Sequence, residues 1–292
     1  MDYEAVGMLA ALGSAASWAL GSILFKRLGE KISPLAMTLA KGVISVVLLG
    51  FTVILTGYNN LPQESLLLLI ASGLLGIALG DTFFFAALQD LGPHLLIVLL
   101  MSGQVLTIIF ALVFLGETPA LLTWWGIGLV ISGIALVMWT QLAGEKQASR
   151  WRGIAFGLLA VLCLSVSIIM AKKGLESISA IQATFIRMLA GTTGMMFFGL
   201  GTGQIRRWMK PFKDFQLIKL FLVSVGVITF GGFWLSLVAI KYVDVSVANT
   251  LNSTEPLFVL PLAAIFLKEK IKFNALIGTA IATLGIVFIC QA

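Results

Sequence analysis

Ten runs of this sequence, each close to twenty residues long and nearly free of charge, follow one another with short connections. A helix needs about 20 apolar residues to cross a hydrocarbon core of about 30 Å. Inside lipid, each segment must also satisfy its own backbone donors and acceptors. The runs lie at roughly 6–25, 34–56, 66–88, 94–115, 121–142, 153–171, 180–200, 217–240, 246–267 and 273–291. They predict an all-α integral membrane protein of ten transmembrane helices. A membrane barrel would alternate polar and apolar residues, whereas these runs are continuous. Only 11% of residues are charged, against about 25% in soluble chains, so water is excluded as the main solvent.

The chain also repeats itself. At an offset of 146, Gly7 falls on Gly153, Lys26-Arg27 on Lys172-Lys173, Glu30 on Glu176, Ser33 on Ser179 and Lys41 on Arg187. At an offset of 152, Gly80 falls on Gly232, Ala87 on Ala239, Ser102 on Thr254, Glu117 on Glu269, Gly126 on Gly278 and Gly133 on Gly285. The difference of six residues fits a longer loop after the seventh span. Shared Leu and Ala would align by chance, but charged pairs and glycines in register would not. The expected organisation is therefore two five-helix repeats, 1–145 and 146–292. Five is odd, so the second copy must enter from the opposite face, as in the inverted repeats of secondary transporters.

The net charge of +6 is spread singly or in threes between apolar runs, which argues against a nucleic-acid partner. Loops on the face opposite the amino terminus hold thirteen Lys and Arg residues, against Lys172, Lys173 and Lys241 on the shared face. Such residues in short loops resist translocation. The thirteen-residue face is thus expected to be cytoplasmic and both termini external, in a bacterial inner (plasma) membrane. No basic region leads to a cleavage site ahead of the first span, which is expected to be retained. Cys163 and Cys290 sit in apolar stretches and suggest neither a disulfide nor a metal site.

Further features carry a resemblance. Each half closes its fourth span with a Glu (Leu115-Gly116-Glu117, Leu267-Lys268-Glu269). Ser17-Trp18-Ala19 lies in the first span, Lys41 and Arg187 come early in the second and seventh, and Glu255-Pro256-Leu257 lies in the ninth. In this order, within a duplicated frame, the chain resembles the EamA family of the drug/metabolite transporter superfamily over nearly its whole length. The resemblance implies a ten-helix transporter of small metabolites, commonly amino acids or related compounds, often outward, with a central pocket lined by both halves. Leu164 replaces the first-span Trp in the second half, and Gln104 replaces the counterpart of Pro256, so the halves are not equivalent.

An ionisable group at the centre of a span costs roughly 2.5–3.5 kcal/mol on insertion scales and calls for a partner or a purpose. Counting rise along the helices puts Lys41 and Asp81 at similar depth from one face, and Arg187 and Glu255 at similar depth from the other. Two pairs are expected: either static ties between helices, or groups that couple transport to a proton or to a substrate amine. Asn249, Asn252 and Ser253 share a helical face with Pro256, whose missing amide opens the helix locally. They are expected to contact substrate, the alternative being bonds to neighbouring helices. Trp18, Phe84 and Trp234 are candidates for an aromatic wall. His94 reads as a loop-end residue, and Trp124, Trp125 and Trp139 as interface anchors.

No nucleophile elbow, metal-spaced His cluster or P-loop points to an enzyme, and no cofactor or metal is expected. The expected function is a secondary transporter, read as an exporter of small polar metabolites by alternating access, with its site between the repeats. A translocator of lipid or lipid-linked sugar and a passive channel are the alternatives. The expected partners are a small-molecule substrate, a proton as candidate coupling ion, and membrane lipid, around a monomer.

Overall fold

The computed structural model describes residues 3–57, 62–110, 120–142, 147–175, 178–243, 248, 251–252, 254–268 and 273–290. Glu117, Glu176, Asn249, Thr250, Ser253 and Glu269, and the side chains of Gln104, Trp139 and Cys290, lie outside the described residues. The helices are α1 (Tyr3–Gly29), α2 (Pro34–Thr56), α3 (Gln63–Leu91), α4 (Pro93–Leu100), α5 (Ser102–Phe110), α6 (Leu121–Leu142), α7 (Gln147–Gly174), α8 (Ala180–Gly201), α9 (Phe215–Tyr242), α10 (Glu255–Phe266) and α11 (Phe273–Cys290). Among the described residues there is no strand. Within those residues six helices, α1, α2, α3, α7, α8 and α9, are long and apolar enough to cross a membrane, and shorter apolar helices lie within α6, α10 and α11.

Local chemistry sets many of the ends. Ser33 caps α2 by accepting from the Ala36 N–H, and Ser179 caps α8 by accepting from the Gln182 N–H. Each satisfies one of the donors that a helix start leaves open. Gly57 ends α2 at φ 89°, and Gly92 ends α3 at φ 81°, a left-handed geometry in which a Cβ is unwelcome. Outward faces stay apolar: Val47, Phe51 and Ile54 on α2, with Phe197 and Leu200 on α8, are exposed, as a lipid solvent allows.

The principal packing joins the two halves. Helix α1 packs on α9, α2 on α8, α3 on α7 and α8, α10 on α1 and α4, and α6 on α11. The contacts obey the repeat offsets reciprocally. A Cβ on Gly7 would lie 2.8 Å from Val243 and 3.2 Å from Tyr242, and one on Gly153 would lie 2.8 Å from both Asp90 and Leu91. Gly80 faces Leu164 as Gly232 faces Trp18, and Gly133 approaches Gly278 and Ala282 as Gly285 approaches Gly126 and Val130. Bulk trades sides elsewhere, Gly76 meeting Ser167 where Gly21 meets Ile228. Reciprocity of this kind is what a two-fold relation between copies produces.

Within each half the polar ties also match. Lys26 Nζ donates to the Leu88 and Gln89 carbonyls, and Lys172 Nζ to that of Ile240. Gln89 Nε2 donates to the Ile32 carbonyl and Lys241 Nζ to that of Ile178. Lys26 thus joins the end of α1 to the end of α3, against which Gly153 of α7 packs.

Candidate functional site: a buried charge cluster between the halves

Helices α3 and α9 each widen at one place. Residues Leu74–Gly80 and Val227–Trp234 form π-helical turns; subtracting 152 from the second range gives 75–82, so the two overlap. In the first, the Asp81 N–H reaches back five residues to the Gly76 carbonyl. Such turns rotate the face that follows, and they recur at functional sites. Glycines permit the crowding: a Cβ on Gly73 would lie 2.3 Å from the Arg187 carbonyl oxygen, and one on Gly76 2.2 Å from Ser167 Oγ. Helix α3 is therefore pressed against α8 and α7 just before Asp81.

Asp81 enters a buried cluster with two cations. Lys41 on α2 is 1% exposed, Asp81 2% and Arg187 on α8 6%. Lys41 Nζ forms a salt bridge with Asp81 and lies 4.4 Å from the centre of the Phe233 ring, close enough for a cation–π contact. Asp81 also interacts electrostatically with Arg187. Arg187 Nη2 donates to Ser167 Oγ at 3.1 Å, while its Nε has no partner among the described residues. Ser167 is held by α3 in turn: Ser72 Oγ donates to the Ser167 carbonyl at 2.7 Å, and Ser167 Oγ to that of Ser72 at 2.8 Å. Asp81 is thus paired with Lys41, with Arg187 within electrostatic reach of it, and a buried charge without full compensation costs several kcal/mol.

Aromatic side chains continue the cluster toward α1. Trp18 meets Phe233 edge-on at 4.9 Å and Phe84 at 6.0 Å. Phe84 is buried, whereas Trp18 and Trp234 are half-buried, Trp234 standing perpendicular to Phe230. Phe233 sits where the repeat matches it to Asp81, so the second half supplies a ring where the first supplies an acid.

Two expected spans are broken. The run 94–115 contains two helices separated at Met101, and in the run 246–267 Ala248, Leu251 and Asn252 are helical, Thr254 is a turn and helix α10 starts at Glu255. The breaks match under the offset: Ser102 Oγ donates to the Leu99 carbonyl and Thr254 Oγ1 to the Leu251 carbonyl, both at 2.7 Å. At both breaks the backbone stays right-handed and tightens instead: the Met101 N–H donates to the Val98 carbonyl and the Thr254 N–H to the Leu251 carbonyl, three residues back. At the second break Asn252 Oδ1 is buried without a partner among the described residues. Glu255, half-buried, makes no ion pair or hydrogen bond with a described residue.

The structure thus brings Lys41 and Asp81 together but does not pair Arg187 with Glu255, since Arg187 turns to Ser167. Asn249 and Ser253 fall outside the described residues, which leaves Asn252 alone of that trio. His94 is the second residue of α4, directly after the Gly92 turn, and at this loop end it is buried with Nε2 3.3 Å from Thr279 Oγ1 on α11. Trp124 and Trp125 are exposed, in keeping with anchors. Sequence reasoning missed Ser72, Ser167 and Phe233. The offset that aligns Gly80 with Gly232 would have flagged Phe233 as the partner position of Asp81.

A family model described as the EamA-like transporter family matches residues 5–139 and again 151–291. An uncharacterized transporter of Archaeoglobus fulgidus is 44% identical over 50 residues, which is 17% of this chain and 18% of that protein, so the match spans less than a fifth of the relative. A solved crystal structure superposes with a TM-score of 0.70 at 13% identity, covering 97% of this chain and 95% of its own. At that identity the likeness shows the fold alone.

Proposed function

Because the chain belongs to the EamA-like transporter family, and is thus an integral membrane transporter, we propose that it moves small zwitterionic metabolites, such as amino acids and related compounds, by alternating access. The proposed frame is ten spans in two inverted five-helix repeats, 1–145 and 146–292, with both termini external and export as the direction. The site lies between the repeats.

One observation carries this reading: a cation and an anion in the span interiors each lack a full partner. Among the described residues, neither the Arg187 Nε nor the Glu255 carboxylate has a partner. A zwitterion supplies both missing charges, its carboxylate to the guanidinium, which favours planar two-point contact, and its ammonium to Glu255. Trp18 and Trp234 offer rings to the substrate side chain, and Asn252 a free acceptor. The broken backbone before α10 is the kind of element that forms midplane sites in transporters.

Transport of labelled amino acids into proteoliposomes tests this. Arg187→Gln and Glu255→Gln should each reduce transport by about 30-fold or more, the loss expected when one partner of a buried charge contact is truncated. Blocking the substrate carboxylate as an amide should impair the native protein while hardly affecting Arg187→Gln. Native rates in both variants would overturn the proposal.

A further inference from the structure

The longer loop after α8 in the second repeat forms a built surface. Between α8 and α9 the chain makes a short helix, Ile205–Met209, and a 3₁₀ turn, Lys210–Lys213. Ile205, Trp208 and Phe212, spaced three and four apart, face inward and join the main core. Trp208 is 3% exposed and stacks on Phe198. A Cβ on Gly199 would lie 2.6 Å from the Trp208 ring, so only glycine admits the ring there. Phe212 meets Phe221 of α9 at 5.1 Å. The opposite side carries Arg206, Arg207, Lys210 and Lys213, all exposed. The adjoining acid, Asp214, is engaged in capping α9 through the Gln216 and Leu217 N–H groups. The corresponding loop of the first repeat, Gly57-Tyr58-Asn59-Asn60-Leu61-Pro62, has no Lys or Arg at all.

We propose that this segment is a docking surface for anionic phospholipid headgroups. A topology signal needs cations in a loop, wherever they point. Here three apolar side chains pin the loop against the ends of two span helices and hold four cations outward at the membrane boundary. That is the arrangement of an amphipathic element lying in the interface. Cationic clusters beside a span attract anionic lipid, at roughly fivefold in affinity per residue near the surface. The occupant follows from place and sign: the nearest abundant anions to a collar at the ends of α8 and α9 are headgroups of the surrounding leaflet. The surface makes the two faces of the protein unequal where the repeat makes their helices alike.

The test uses the full-length protein in nanodiscs of phosphatidylcholine, with or without phosphatidylglycerol. The native protein should melt higher in the anionic discs, and the gain should shrink at high salt. With Arg206→Gln, Arg207→Gln, Lys210→Gln and Lys213→Gln combined, the gain should vanish while the melting temperature in phosphatidylcholine alone is kept. Phosphatidylglycerol affinity, titrated in detergent by native mass spectrometry, should fall about tenfold or more. The two double variants, 206/207 and 210/213, should each show a partial loss. An undiminished anionic-lipid gain in the quadruple variant would overturn the proposal, as would equal stabilisation of the native protein by free inorganic phosphate in phosphatidylcholine discs.

Discussion

The two halves agree in scaffold and differ in charge. Lys26 and Lys172 satisfy matching carbonyls, Ser33 and Ser179 cap matching helices, and Ser102 and Thr254 mark matching breaks. The cations at 41 and 187 match too. Their surroundings do not: Asp81 is answered by Phe233, Glu255 by Gly103 and Trp18 by Leu164. Duplication kept what holds helices together, and divergence fell on the acids and on the rings beside them. A symmetric frame lets two conformations be near equal, while a single acid gives the buried cations one partner between them.

The largest test of this contrast removes the shared acid. Asp81→Asn leaves Lys41 and Arg187 buried with no anion and should cost about 3–5 kcal/mol, seen as a large drop in thermal stability of the purified protein. Adding Phe233→Asp, beside Lys41, should restore part of it if the two positions are equivalent by symmetry. Absence of any rescue would break the equivalence. The cations themselves should respond unequally. Lys41→Met takes the salt-bridge partner from Asp81, leaving Arg187 as a substitute, and should cost about 1–3 kcal/mol. Arg187→Met removes the incompletely paired charge, keeps Lys41 with Asp81, and should shift stability by no more than about 1 kcal/mol. Equal losses at 41 and 187 would show Arg187 to be as structural as Lys41.

A glycine pair sharpens the comparison at a finer scale. Gly76→Ala drives a methyl to 2.2 Å from Ser167 Oγ and 2.9 Å from its Cβ, at the residue that holds Arg187. Its counterpart contact is Gly21→Ala, where the methyl meets Ile228 Cδ1 at 2.1 Å, the movable tip of a longer side chain. Overpacking costs about 1–3 kcal/mol; Gly76→Ala belongs at the upper end and Gly21→Ala at the lower. Melting curves of the two variants, with transport measured alongside, separate them: only Gly76→Ala should also reduce transport.

What the sequence made legible divides along the same line. Matched glycines, capping serines and paired basic residues announced the duplicated frame, and depth counting brought Lys41 to Asp81. The same counting matched Arg187 to Glu255, and there it failed. Rise per residue gives height along a span but says nothing of the direction a side chain takes around the helix axis. Arg187 points to α3 and α7, where Gly73, Gly76 and Ser167 make room for it. The π turns were hidden because no side-chain period signals five-residue hydrogen bonding, although the glycines that crowd them were in view. The breaks at Met101 and Thr254 were hidden within runs that are apolar throughout, since hydropathy measures solvent preference and not helical continuity.

The smallest effect bears on the frame itself. Ser33→Ala and Ser179→Ala each remove a cap whose N–H···O distance is long, 3.4 and 3.3 Å, so each should cost about 0.5–1 kcal/mol, the low end for such losses. The two caps open different helices, one in each repeat, and each bonds only within its own first turn, so the double variant should lose the sum, within about 0.5 kcal/mol. Thermal unfolding of the two single variants and the double one checks both statements. Equal single losses would mean that the frame is symmetric in energy as well as in geometry. A clear inequality would mean that drift has reached the helix starts too, and the division between shared scaffold and divergent charge would have to be drawn closer to the cluster.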